Sequence, residues 1–258
     1  MQQDLWLIWE LTRREVSQRY KGTFLGILWP VLYSILFLSV FSFVFSFMLK
    51  IRWASGGSDT DMTHATLMIF CGMVPYLFMA EVMGRSPVFM LTAQNLVKKV
   101  RFPIHLIPVV NVNAAMLIAL VNVVLLLAFA FATGGAVPIA IVYVALILIP
   151  LYLFALGLGW LFSAVAVFFR DLAQIAPVVV QILMFMAPVF YPASAVPEEF
   201  RAFFALNPLT YFVEAFRAAL EGQFSVSGWL TVTMLHAAFA VFGRFVFDRL
   251  RPAFGDLL

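Results

Sequence analysis

Six apolar runs, each close to the length of a bilayer crossing, alternate along this chain with short polar segments. Leu28–Leu49 has 22 residues without a charge and is closed by Lys50 and Arg52. Further runs follow at about Ala65–Met83, Ile104–Ala132, Val137–Phe169, Leu172–Tyr191 and Gly228–Phe247. A helix needs about 20 apolar residues to cross, so the pattern predicts six transmembrane helices. The fourth run is overlong and carries Pro150, which predicts tilt, a kink or an extension beyond the membrane. Arg170-Asp171 is the only break before the fifth.

The polar segments carry patterns of their own. Gln3–Lys21 is helical in period but too charged to insert. Leu5, Trp9, Thr12, Val16 and Tyr20 share one face, and Glu10, Arg14, Ser17, Gln18 and Lys21 the other. Such a helix lies in the headgroup plane, with Glu10–Arg14 and Glu15–Arg19 as i,i+4 pairs. Gly22 and Gly26 then turn the chain toward the bilayer.

Between the last two runs, Pro197 with Glu198-Glu199 starts a short helix, and Asn207-Pro208 ends it and starts a second that Gly222 closes. Phe200, Phe203, Phe204, Tyr211, Phe212 and Phe216 make this pair too apolar for a free loop. It is expected to dip into the membrane as re-entrant helices, buried in protein or lining a wet cavity. The alternative is a pair lying flat on the outer surface.

Composition agrees with the pattern. The chain of 258 residues is 64% apolar and 11% charged, with mean hydropathy +1.02; soluble domains run nearer about 45–50% and 25%. The expected fold class is therefore an all-α integral membrane protein, a single transmembrane domain over 1–258. Residues 1–27 form the interfacial helix and turn, 28–247 the six-span bundle and 248–258 a cytoplasmic tail. The net charge of +3 is assigned to membrane anchoring rather than to nucleic acid. No cleavable signal peptide is visible, because Asp4, Glu10, Arg13, Arg14 and Glu15 precede the first apolar run. Cys71 is the only cysteine, so no intrachain disulfide can form.

Basic residues set the expected orientation. With both termini inside, twelve of the sixteen lie in cytoplasmic segments, and only Lys50, Arg52, Arg201 and Arg217 lie outside. The island from Ser86 to Pro103 carries Lys98, Lys99 and Arg101 and is expected to face the cytosol. Its apolar and amide handles, Phe89, Asn95, Leu96 and Val97, are candidates for contact with a cytosolic partner; the plainer reading is that its basic residues only anchor two helix ends.

Catalysis is poorly supplied. There is no HExxH, no GxSxG, no Asp pair and no GxxxxGK[ST] loop, so no catalytic, metal or ATP site is expected in this chain. Small and polar stripes are better represented. Ala155, Gly159 and Ser163 follow the spacing that lets helices approach closely, and Asn111 and Asn122 return to one face. Tyr33, Phe37, Phe41 and Phe45 form an aromatic row at i+4 spacing, either a sliding surface for sugar rings or a lipid-facing stripe. Trp160 lies roughly 15 Å along a helix from Arg170 and is grouped with Tyr33, Phe37 and Phe41 as a conduit candidate.

Taken in order, RYKGTFLGILWP before the first span, NLVKKVRFP before the third, FFRDL between the fourth and fifth, APVFYPASAVP and NPLTYFVEAFR make a recognisable series. Over essentially its whole length the chain resembles the membrane (permease) subunits of ABC-2 type exporters, in the polysaccharide group that exports O-antigen, capsule or teichoic acid. The resemblance implies a homodimer in the cytoplasmic (inner) membrane, with a conduit at the dimer interface. It implies two separate ATP-binding cassette subunits that hold ATP and Mg, and a glycan on a polyprenyl-pyrophosphate carrier as substrate. Ser86–Arg101 would hold the coupling helix for the ATPase, and the short outer helices an external gate.

On that basis Arg13, Arg14, Arg19 and Lys21 are candidates for the carrier headgroup, since guanidinium forks match phosphate oxygens; their alternative role is anchoring to anionic lipid. Glu214, Arg217 and Glu221, at i, i+3 and i+7, are candidates for the gate, or else for a surface charge cluster. An ATP-independent scramblase or secondary flippase would more often show repeated halves or a buried acid to couple an ion. An intramembrane transferase would need paired acids or a His-Asp site.

Overall fold

The computed structural model describes residues 2–48, 53, 60–92, 103–134 and 137–257, and among these every regular element is helical. The helices are α1 (Gln2–Tyr20), α2 (Trp29–Ser42), α3 (Thr60–Thr92), α4 (Leu106–Ala132), α5 (Val137–Phe168), α6 (Leu172–Met186), α7 (Glu198–Ala205), α8 (Pro208–Leu220), α9 (Val226–Leu250) and α10 (Phe254–Leu257). α2 runs on as a wider helical stretch, Phe43–Met48. Four helices are long and apolar enough to cross a membrane, within Met62–Thr92, Leu106–Ala132, Pro138–Phe168 and Val226–Ala253. Trp29–Phe45 and Leu172–Met186 are apolar but shorter.

α3 is the centre of the bundle. Its apolar stretch is 72% buried, against 22–39% for the other three long helices. α2, α4, α5, α6 and α8 all pack on it. α9 packs chiefly on α5, and the approach is close because two glycines meet: a Cβ on Gly243 would stand 2.5 Å from the Gly157 carbonyl oxygen. The small-residue stripe of α5 faces α3 and α4: Ala155 is fully buried, Ser163 Oγ donates to the Ser86 carbonyl at 3.2 Å, and Gly159 lies against Val112.

α1 lies on α4 and joins α2 through a turn in which Gly22 and Gly26 adopt positive φ, 82° and 52°. Thr12, Val16 and Arg19 face the bundle, while Trp6 and Trp9 are exposed. Of the expected apolar face, Thr12 and Val16 do turn to the bundle, while Trp9 stays exposed and Arg19 joins the buried side.

Three helix limits differ from the hydrophobic pattern. The second apolar run was expected to end at Met83, yet α3 continues to Thr92, through Pro87. Proline removes one backbone donor there. The bond lost is the one to the Met83 carbonyl; beside it, Ser86 Oγ donates to the Val82 carbonyl at 2.7 Å and accepts from Asn111 Nδ2 at 3.1 Å.

The fifth run was expected to reach Tyr191, but α6 stops at Met186 and Ala187 is extended (φ −117°, ψ 149°). A residue before proline avoids the helical region, and Pro188 follows. Fifteen residues span about 22 Å, and the turn that follows, with Ala187, Val189 and Phe190, is buried beside α3.

At the C-terminus, α9 continues to Leu250 and α10 folds back. Phe254 is fully buried against Phe168 and Phe247, and Arg170 donates to the Leu257 carbonyl at 3.0 Å.

The two short helices differ in environment. α8 buries Leu209, Phe212, Val213, Phe216 and Ala219 against α3 and α5. Asn207 caps it by accepting from Leu209 N at 3.0 Å, and donates to Met186 O at the end of α6. α7 leaves Phe200 and Phe203 exposed.

Candidate functional site

Charges gather at the α1 end of the bundle. The Arg19 side chain, only 3% exposed, donates to Glu15 (2.9 Å), Glu81 (2.7 Å) and the Asn111 carbonyl oxygen (3.0 Å). Arg85 also pairs with Glu81. Three helices, α1, α3 and α4, are thus tied by one network in which every charge has an opposite partner. A buried guanidinium needs this, because an unpaired one costs several kcal/mol. Arg19 is consequently committed inward and is not free for a headgroup, whereas Arg13, Arg14 and Lys21 are exposed on α1.

The network separates two cavities. One, of about 470 Å³, has Arg14, Glu15 and Arg85 on its polar side and Val88, Phe89 and Ile107 on its apolar side. Phe89 packs partly into a small core of Met90, Val167 and Phe254. Asn95, Leu96 and Val97, the other three coupling candidates, lie outside the described residues. The second cavity, of about 310 Å³, lies between the end of α1, α2, α3 and α4. Tyr20, Trp29, Tyr33, Phe78, Glu81 and Asn122 line it. Burial, with the Glu81 carboxylate beside it, pushes the Tyr20 phenol above its usual range, so its hydroxyl keeps its proton.

The aromatic row rises from this second cavity. Tyr33 stacks on Phe37 (centroids 5.6 Å apart), Phe37 contacts Phe41 (4.4 Å), and Phe41 stacks on Phe45 (6.0 Å). At its far end Phe190, from the segment after α6, stacks on Phe41 at 4.2 Å and Phe45 at 4.9 Å. The row is therefore partly covered by protein rather than wholly turned to lipid. Trp160 stands apart from it: its Nε1 donates to the His105 carbonyl, and the Arg244 guanidinium lies over its ring at 5.6 Å.

At the other end of the bundle, Arg217 is 5% exposed and acts as a junction. It donates to the carbonyls of Met68 (3.2 Å), Val189 (2.9 Å) and Tyr191 (3.4 Å), pairs with Glu214 at 2.7 Å, and lies 4.6 Å from the Trp53 ring. Glu221 is exposed, and no ion pair joins it to Arg217 among the described residues. Met68 and Glu81 are thirteen residues apart on α3, so the Arg217 junction and the Arg19 network are separated by about 20 Å. His236 is a packing residue, held by Val232 O at 2.8 Å and the rings of Phe154 and Phe212.

Sequence reasoning singled out the Asn111/Asn122 face, but not its partners. Asn122 accepts from Ser34 at 2.6 Å, while Asn111 joins Arg19 to Ser86. Phe190 carried no signal in the pattern, because nothing local marks the ring it meets.

Known proteins with the same pattern confirm its class. O-antigen export system permease protein RfbA of Myxococcus xanthus is 26% identical over 82% of this chain and 79% of its own length. Two proteins of that name from Klebsiella pneumoniae are 24% and 23% identical over 96% of this chain and 93% of theirs. The family model described as ABC-2 type transporter matches residues 7–220, most of the chain and all helices from α2 to α8, and the protein belongs to that family of membrane transport subunits.

Proposed function

We propose that this chain is the transmembrane subunit of an ATP-driven exporter that moves a polyprenyl-pyrophosphate-linked polysaccharide across the cytoplasmic membrane. The observation that carries the reading is the match to O-antigen permeases over nearly the full length of both chains. Two copies enclose the conduit, and two separate ATP-binding subunits hold ATP and Mg. The chain crosses six times with both termini in the cytosol; α2 and α6, the shorter apolar helices, complete the count begun by the four long ones.

In this reading the side chains take the following roles. Arg13, Arg14 and Lys21 meet the anionic carrier headgroup from the exposed side of α1, while Arg19 holds α1 in place. Phe89, with Asn95, Leu96 and Val97, receives the ATP-binding subunit. Tyr33, Phe37 and Phe41 offer aromatic faces along which successive sugar rings slide. Glu214 and Arg217 belong to the outer gate and keep α8 closed against α3 when no glycan is threading.

Deletion of the coding sequence in its own host tests this. Surface polysaccharide should disappear and its polyprenyl-linked precursor accumulate on the cytoplasmic side. Unchanged surface polysaccharide together with altered phospholipid asymmetry would instead identify a scramblase.

A further inference from the structure

The cavity at the foot of the aromatic row combines features that a lipid chain does not use. Both guanidinium groups of the Arg19–Arg85 network converge on one oxygen of Glu81, Oε1. Its Oε2 has no hydrogen-bond partner among the described residues, and the side chain lines the cavity. Asn122 is 2% exposed and lines the same cavity. Its Oδ1 is taken by Ser34 Oγ at 2.6 Å, but its Nδ2 has no partner among the described residues. This amide nitrogen is open to the cavity rather than sealed in protein, so a group that enters the cavity can accept from it. Four aromatic side chains line the same cavity: Trp29 and Tyr33 are open at 40% and 54%, Phe78 is buried, and Tyr20 adds a protonated hydroxyl.

We infer that this cavity binds one sugar ring, with Trp29 and Tyr33 against its C–H face and with Glu81 Oε2 and Asn122 Nδ2 on its hydroxyls. A pyranose is the chemistry that uses all of these groups at once. Its ring faces are apolar and stack on aromatic carbon, and each hydroxyl on its rim both donates and accepts. The cavity volume of about 310 Å³ is at the small end of the range for ligand pockets, about 300–1,000 Å³. It therefore suits a ring rather than a folded chain. Tyr33 is also the first member of the row, so a ring held here is placed at the start of the run through Phe37 and Phe41. The site rests on the export reading, in which it receives the glycan at the α1 end.

The test uses the full chain with its ATP-binding subunit in lipid nanodiscs, probed with the methyl glycosides of mannose, galactose, rhamnose and N-acetylglucosamine by saturation-transfer NMR. At least one sugar should receive saturation on its ring protons. Tyr33→Phe should retain it. Tyr33→Ala, at a largely exposed position that the fold does not need, should lower it by about tenfold, the loss of one stacked aromatic face. Asn122→Leu should lower it as well, since Ser34 keeps the Pro30 carbonyl as its partner.

If no sugar is saturated, as an acyl chain or a second copy in the cavity would produce, the inference is overturned. Equal saturation in wild type and both variants overturns it too. Reintroducing wild type into the deletion host separates the two levels. Failure to restore surface polysaccharide refutes the export reading, while restoration with sugar binding unaltered in the variants refutes only this site.

Discussion

Arg217→Met removes the junction between α8, α3 and the segment that carries Phe190. Three carbonyls and one carboxylate lose a donor. They do not count equally. Met68 is inside a helix and keeps its intrahelical bond. The Glu214 side chain is 44% exposed and turns to water at little cost. The loss therefore falls on Val189 and Tyr191, whose backbone has no ladder to share. An unsatisfied buried acceptor costs about 1–3 kcal/mol. With the Tyr191 contact the longer at 3.4 Å, the two together come to about 3 kcal/mol, or about a hundredfold in the population of the opened segment.

The chain carries its own reporter. Cys71 is its only cysteine and fully buried, beside Gly72, where a Cβ would stand 2.7 Å from the Val189 carbonyl oxygen. When the segment lifts, the thiol is uncovered. Maleimide labelling of Cys71 should therefore run about a hundredfold faster in Arg217→Met than in wild type. Arg217→Lys should fall between, because one ammonium cannot reach all of these oxygens. Arg201→Met, at an exposed guanidinium, should change nothing. Labelling of Arg217→Met at the wild-type rate would refute the reasoning, and with it the claim that this side chain holds the segment after α6 against α3 and α8.

Two further substitutions probe the rest of the frame. Gly243→Ala puts a methyl group 2.5 Å from the Gly157 carbonyl and forces α9 away from α5; thermal unfolding of the purified chain should show a loss of about 1–3 kcal/mol, and an unchanged Tm would mean the two helices are not in contact. Arg19→Met leaves Glu15, Asn111 and half of the Glu81 charge without their donor, a loss of about 3–5 kcal/mol. α1 should then detach often enough that trypsin cuts at Arg13 and Arg14 at least about tenfold faster; cleavage at the wild-type rate would show that α1 is held by something else.

What the sequence determined by itself was whatever depends on neighbours along the chain. Apolar length identified membrane-spanning helices, and period identified α1. Proline before acids or after asparagine marked the starts of α7 and α8, the i,i+4 spacing marked the Glu15–Arg19 pair, and the eleven-residue interval placed Asn111 and Asn122 on one buried face. Only the tertiary structure decided which groups meet across helices. Arg19 finds Glu81 and Asn111, 62 and 92 residues away, and so faces the protein instead of the headgroups. α6 stops at Met186, five residues short of the apolar run, at the local signal of Pro188, but it is Arg217 that takes up the Val189 and Tyr191 carbonyls beyond that stop. α3, in turn, continues through Pro87, and the Ser86 beside it is bonded by α4 and α5. In each case a backbone or charged group had two possible partners, one local and one distant. Periodicity records only the local one, and burial makes the distant one decisive because a buried polar group cannot go unpaired.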